Sequence, residues 1–290
     1  EGMADLYEVL APFADRKTEE EDAASAEDGS EEAGADEEGS SGPLQLAIIG
    51  RPNVGKSTLL NRLLGDERVI TGPEPGVTRD AISVSWEWQG QEIKLIDTAG
   101  LRRRARIQKK IEKLSAADTI RAIRFSNVAI LVLDGTTMAE RQDLTIADHV
   151  NHEGRALIIA VNKWDLVKDR KAAMKTLQDR LSISLPQLRG IPIVTLSAVT
   201  GEGIGKLIPA VLKSFKIWNT RFPTGPLHSW LDDVLEHHPP PLSRGRRLRL
   251  RYITQAQARP PTFAVFTSRP ADIPESYRRY LVNSLRETFS

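Results

Sequence analysis

The chain has 290 residues, 40% of them hydrophobic and 27% charged, the mix of a globular protein of about two domains. It contains no cysteine, which excludes disulfides, Cys-ligated zinc and iron–sulfur clusters. No apolar run approaches the roughly 20 residues of a membrane span, and no basic start with an apolar core opens the chain as a signal peptide would. The expectation is a cytoplasmic protein with no membrane partner.

The net charge of +1 conceals an asymmetry. Residues 1–43 carry 15 Asp/Glu against 2 Lys/Arg, whereas residues 44–290 carry 24 against 38. A basic body with an acidic arm suits a polyanionic partner. A merely solvated basic surface accounts for the same charges equally well.

Met3, Leu6, Tyr7 and Leu10 stand at helical spacing and predict a short helix that Pro12 ends. The chain does not open with Met, which reads as a piece of a longer protein. Residues 18–41 hold no large apolar side chain. They cannot bury enough surface to offset chain entropy, so a disordered linker is expected. From Leu44 onward strands alternate with helices. A strand is predicted over 44–49 and a helix over 57–64, stopping at Gly65. Strands over 82–88 and 92–96 flank Gln89, Gly90 and Gln91, a hairpin signal. Apolar strands follow over 128–133, 156–161 and 193–196, each with a helical pattern behind it. Helix 206–215 closes the unit. Buried strands separated by helices imply an α/β fold, a mostly parallel sheet covered on both faces.

The composition then changes. A helix over 223–238 runs into three prolines, 239–241. A strand over 246–254 alternates Arg with Leu, Tyr and Ile, so Arg247, Arg249 and Arg251 are expected on one face and Leu248, Leu250 and Tyr252 packed behind them. A second strand over 262–268 and a helix over 275–289 complete a small α+β unit.

The sharpest motif is Gly50, Arg51, Pro52, Asn53, Val54, Gly55, Lys56 and Ser57, followed by Thr58. It fits the phosphate loop G-x-x-x-x-G-K-[ST] between a strand and a helix. Its glycines let successive amides point at phosphate oxygens, and the helix N-terminus adds positive partial charge. Lys56 is placed to reach the β and γ phosphates, and Ser57 to ligate Mg²⁺. Asp97, Thr98, Ala99 and Gly100 end a strand; the carboxylate suits the Mg²⁺ shell and the Gly100 amide the γ-phosphate. Asn162, Lys163, Trp164 and Asp165 form the base-choosing tetrad. The Asp165 carboxylate accepts from guanine N1–H and its exocyclic amine, whereas adenine leaves it unpaired. The Lys163 stem is expected over the base, and a backbone amide of Ser197 or Ala198 at guanine O6. Thr78 is expected to close over Mg²⁺ and the γ-phosphate as a switch, with Thr71 as its rival. Leu101 stands where a Ras-like protein has a water-orienting Gln, so attack on the γ-phosphate needs another device.

These residues resemble the second G domain of the Der (EngA) family of bacterial ribosome-assembly GTPases. The resemblance rests on residues 50–57, Pro75 to Asp80, Asp97 to Arg102 and the 162–165 tetrad. It extends to Pro260 to Phe263 and Pro274 to Leu281. It implies that residues 1–14 are the tail of a preceding domain and 15–43 an acidic disordered linker. It makes 44–217 a P-loop GTPase domain and 218–290 a KH-like domain that stops before its third strand. It also implies that Asn53 holds K⁺ beside the phosphates in place of an arginine finger. No G-x-x-G occurs between Ile217 and Ser290, so RNA contact would fall to the basic surface at Arg244, Arg246, Arg247, Arg249 and Arg251.

The function expected is GTP binding and hydrolysis, with GTP/GDP, Mg²⁺ and K⁺, in a monomer that serves large ribosomal subunit assembly through rRNA and not DNA. Segment 101–113, with seven Lys/Arg and one Glu, is both switch and candidate polyanion contact. The alternative is a guanine-nucleotide-gated adaptor with protein partners. A metabolic kinase has no use for both the tetrad and Thr78.

Overall fold

The structure, a computed structural model, describes residues 42–65, 84–96, 116–188, 190–242, 245 and 247–289. The N-terminal helix and acidic linker, Thr71, Thr78, residues 97–100, the basic segment 101–113, Arg244 and Arg246 lie outside the described residues.

Apolar runs set the central layer. Strand β1 (Leu44–Ile49) leads through the phosphate loop into helix α1 (Lys56–Gly65). Strands β2 (Val84–Trp88) and β3 (Gln91–Leu95) form an antiparallel pair in which Trp88 faces Gln91. The turn is therefore the two residues Gln89 and Gly90, with φ of 47° and 84°, as a primed hairpin turn requires. Helix α2 (Ala116–Phe125), β4 (Val128–Asp134), α3 (Arg141–His152), β5 (Ala156–Asn162), α4 (Arg170–Ser184), β6 (Ile193–Thr195) and α5 (Leu207–Trp218) complete the layer. The sheet order is β2-β3-β1-β4-β5-β6, with only β2 antiparallel to its neighbour. Every residue of β4 is buried, as a central parallel strand covered on both faces must be. One core holds Leu59, Leu60 and Leu63 of α1 with Val211 and Phe215 of α5. The core on the other face holds Ile123 of α2, Ala147 and Val150 of α3 and Leu177 of α4.

The chain steps to one side of β1 for β2 and β3, then to the other side for β4. The crevice beyond the carboxyl end of β1 is thus a topological switch point, where open α/β sheets bind their ligands. The phosphate loop begins there.

Helix α6 (Thr224–His237), strands β7 (Leu250–Gln257) and β8 (Thr262–Thr267) and helix α7 (Glu275–Phe289) enclose a third core of Leu227, Trp230, Leu231, Val234, Leu250, Ile253, Tyr277 and Leu281. The strand begins at Leu250, later than expected. Arg247, Arg249 and Arg251 are exposed and Leu248 and Leu250 buried, as the alternation predicts. Tyr252 departs from it: the ladder shifts register between Leu250 and Tyr252. A bulge inserts one residue and flips the side chains that follow. Tyr252 is therefore 38% exposed instead of packed in the core, and it lies against His228 and Phe266, with ring centroids 4.5 and 5.5 Å away.

The two sheets belong to one compact unit running from Gly42 to Ser290. Trp218 Nε1 donates to the Gly154 carbonyl at 2.7 Å, and the buried Gln255 ties the connecting segment by accepting from Phe222 N at 2.7 Å. Helix α7 reaches back to the larger sheet unit. Asn283 Nδ2 donates to Pro186 O at 2.9 Å, and Arg286 donates to Asn151 Oδ1 at 3.0 Å and to the Gln187 carbonyl. Burial lowers the Arg286 pKa below its ordinary value.

Candidate functional site

The phosphate loop is shaped by backbone positions that few residues tolerate. Gly50 has φ 139° and Gly55 φ 95°. A Cβ at Gly50 would sit 2.5 Å from the Val132 carbonyl, and one at Gly55 would collide with the Asn162 amide nitrogen. Asn53 holds φ 64°, a left-handed conformation that Asn accepts more readily than most residues. Pro52 and Asn53 are exposed at the loop's tip, Ser57 is half-buried at the start of α1, and Thr58 is exposed. Lys56 is 5% exposed, and its Nζ donates to the Arg51 carbonyl at 2.5 Å.

Asn162, at the carboxyl end of β5 and 3% exposed, is the hub. Its Nδ2 donates to Val54 O at 2.8 Å and its Oδ1 accepts from Ala198 N at 2.9 Å. One side chain thus holds the phosphate loop, the tetrad and the 197–198 segment together. The Ala198 amide, one of the two expected to offer guanine O6 a donor, is engaged by this bond. Ser197, 1% exposed, shapes its own turn: its N bonds Glu202 O at 2.8 Å and its Oγ accepts from Thr200 N at 3.2 Å.

Lys163 stands at φ 58°, and its Nζ meets Asp134 Oδ2 at 2.6 Å. Asp134 ends β4 and also accepts from Thr136 N and Oγ1, at 2.9 and 2.6 Å. Burial pushes its carboxyl up, but the bonds from Lys163 and Thr136 outweigh that and hold it below the usual range. Trp164 was expected among the nucleotide contacts. Its indole is instead 6% exposed within the core on the α3 side, because a large apolar ring gains more from burial than from a wet cleft. It anchors the tetrad. Asp165, next to it, is exposed.

A second cluster was not expected. Arg51 Nε lies 2.9 Å from both carboxylate oxygens of Asp143, Nη1 lies 2.5 Å from Glu140 Oε2, and Nη2 donates to Thr137 Oγ1 at 3.1 Å. Asp143 is 1% exposed and accepts from Glu140 N at 2.9 Å, closing a capping box at the start of α3. Burial raises the Asp143 carboxyl above its usual value despite the guanidinium. Glu140 and Asp143 lack the Ser/Thr-x-x-Glu/Gln signature by which a capping box is read from sequence, and the partnership with Arg51, 92 residues away, leaves no signal along the chain either.

The comparisons with known proteins agree with this geometry. Residues 45–163 match the family described as 50S ribosome-binding GTPase, and 221–290 match the KH-domain-like C-terminal domain of EngA bacterial GTPase enzymes. The chain belongs to the Der (EngA) family. The GTPase Der of Parvibaculum lavamentivorans is 54% identical over 100% of this chain and 63% of its own length. That of Rhodopseudomonas palustris is 50% identical over 100% of this chain and 62% of its own. The chain therefore spans less than two thirds of these Der relatives. A crystal structure of elongation factor SelB from Methanococcus maripaludis, with the GTP analogue GppNHp, is 19% identical with a TM-score of 0.45, covering 63% of this chain and 35% of that one. A P-loop G domain precedes the KH-like domain in this chain.

Proposed function

We propose that this chain binds guanine nucleotide across its switch-point crevice, hydrolyses GTP to GDP and phosphate, and acts as a switch in large ribosomal subunit assembly. The GTPase unit is residues 44–217 and the KH-like unit 218–290. The observation that carries the reading is the Asn162 bridge from Val54 to Ala198, which gathers phosphate-binding and base-choosing segments at one sheet edge. Loop amides, the α1 N-terminus and Lys56 supply positive charge to a polyphosphate. The exposed Asp165 is left to select the base. The Ser57 hydroxyl, half-buried at the helix start, suits a hard cation such as Mg²⁺; Thr78, Asp97 and Gly100 would complete that shell and the γ-phosphate contact. Titration with GTP, GDP and ATP, followed by phosphate release, tests the reading. Preference for ATP would overturn it.

Asn53 sits exposed at the loop tip, where its amide oxygen suits K⁺. Bound there, K⁺ would supply positive charge beside the phosphates. Hydrolysis is expected to run several-fold faster in KCl than in NaCl at equal ionic strength, and Asn53→Ala is expected to erase the difference. Equal rates in the two salts would remove the role.

The exposed Arg247, Arg249 and Arg251 favour rRNA over a protein partner, because an unpaired basic face is best met by phosphates. Replacing all three by Gln should weaken co-sedimentation with ribosomal particles and reduce its salt slope by about 2–3. Unchanged association would point to a protein partner instead.

A further inference from the structure

The phosphate loop is fastened at two separate points. Its second half is held where Asn162 binds the Val54 carbonyl. Its first half has a different anchor, the Arg51 side chain on helix α3. Between the anchors only Pro52 and Asn53 are free to face solvent.

The direction of the Arg51 fork matters. An arginine inside a phosphate loop is an obvious ligand for the anion. Here its Nε, Nη1 and Nη2 are all engaged by Asp143, Glu140 and Thr137. Two carboxylates neutralise it, and the Arg51 side chain is only 15% exposed. The guanidinium is taken up by Asp143, Glu140 and Thr137 and used as a strut. The same residue's main-chain carbonyl receives the Lys56 ammonium. The strut therefore sets the position of the acceptor that aims Lys56.

We propose that Asp143, outside every nucleotide-contacting motif, is a positioning residue for the phosphate loop, acting through Arg51 on the Arg51 carbonyl and Lys56. This rests on the guanine-nucleotide reading and deepens it. Nε shared between both oxygens of the buried Asp143, with Nη1 on Glu140 and Nη2 on Thr137, pins the guanidinium at three atoms and so fixes both distance and plane, which a single exposed ion pair would not. The other role open to Asp143 is purely local: as the capping-box partner of Glu140 N, it could serve helix α3 alone.

The experiment uses the full chain, with Asp143→Asn and Arg51→Met singly and together. Asparagine keeps an acceptor for Glu140 N and removes the ionic clamp, so the helix start is retained. Affinity for GDP is expected to fall by about tenfold, as the loss of one charge-assisted contact implies. The ³¹P resonance of the bound GDP β-phosphate should shift with it, which a purely helix-capping role would not cause. The double variant should be no weaker than either single one, since both break the same link. GDP affinity and resonance unchanged in Asp143→Asn would overturn the proposal, as would losses that add in the double variant. If Asp143→Asn does not fold, Arg51→Met, which keeps a long apolar stem in the same place, carries the same two readouts. Failure of the unaltered chain to bind GDP would count against the guanine-nucleotide reading, not against the strut.

Discussion

Replacing Asn162 by alanine is expected to cost about 2–6 kcal/mol of stability and to abolish tight nucleotide binding. The stability figure follows from two buried backbone groups. Val54 and Ala198 are 2% and 4% exposed, and their carbonyl and amide are each satisfied by the Asn162 side chain. Without it each is left unpaired in a dry site, at about 1–3 kcal/mol apiece. The binding loss follows because one side chain spaces the phosphate end of the crevice from the base end. Water entering the gap would recover part of the stability but not the spacing. Denaturant unfolding and GDP titration read the two effects separately. A variant of normal stability and affinity would show that the bridge is dispensable.

Asp165→Asn is expected to invert base preference rather than destroy binding. The carboxylate is exposed beside a buried Trp164, so the substitution disturbs no core. It replaces an acceptor oxygen with a donor nitrogen. Guanine N1–H and the exocyclic amine then meet a donor, whereas xanthine presents an oxygen in place of that amine. Rejection of an unpaired polar partner is worth a factor on the order of 10² or more, so GTP affinity should fall and XTP affinity rise past it. Competition between the two nucleotides measures the ratio. A retained preference for GTP would place base selection elsewhere.

Much of the G domain was legible because its signals are local. Glycines punctuate β1, the loop and α1, and each apolar run is the length of one strand. The helix from Glu275 is legible in the same way. Three features were not, each for a physical reason. The strut between Arg51 and Asp143 joins residues far apart in the chain, and pattern along the chain carries no information about such pairs. Tyr252 was misplaced because strict alternation presumes an unbroken ladder, and a one-residue bulge reverses it. Trp164 sits inside a recognition motif yet belongs to the core, since a motif constrains which residues recur, not which way each side chain turns. Thr78 and residues 97–100 lie outside the described residues, so their expected roles stand as proposals.

The seam where α7 meets the G domain has a consequence for experiments in salt. Arg286 is held there by neutral partners, the Asn151 amide and the Gln187 carbonyl, and among the described residues no carboxylate bonds it. Dissolved ions weaken attraction between exposed opposite charges, and they have little purchase on a partly buried cation held by dipoles. Raising the ionic strength should therefore strip a polyanion from the exposed arginines while the KH-like domain keeps its orientation on the G domain. A salt titration of such binding would then report on surface charge alone, uncontaminated by a change in shape.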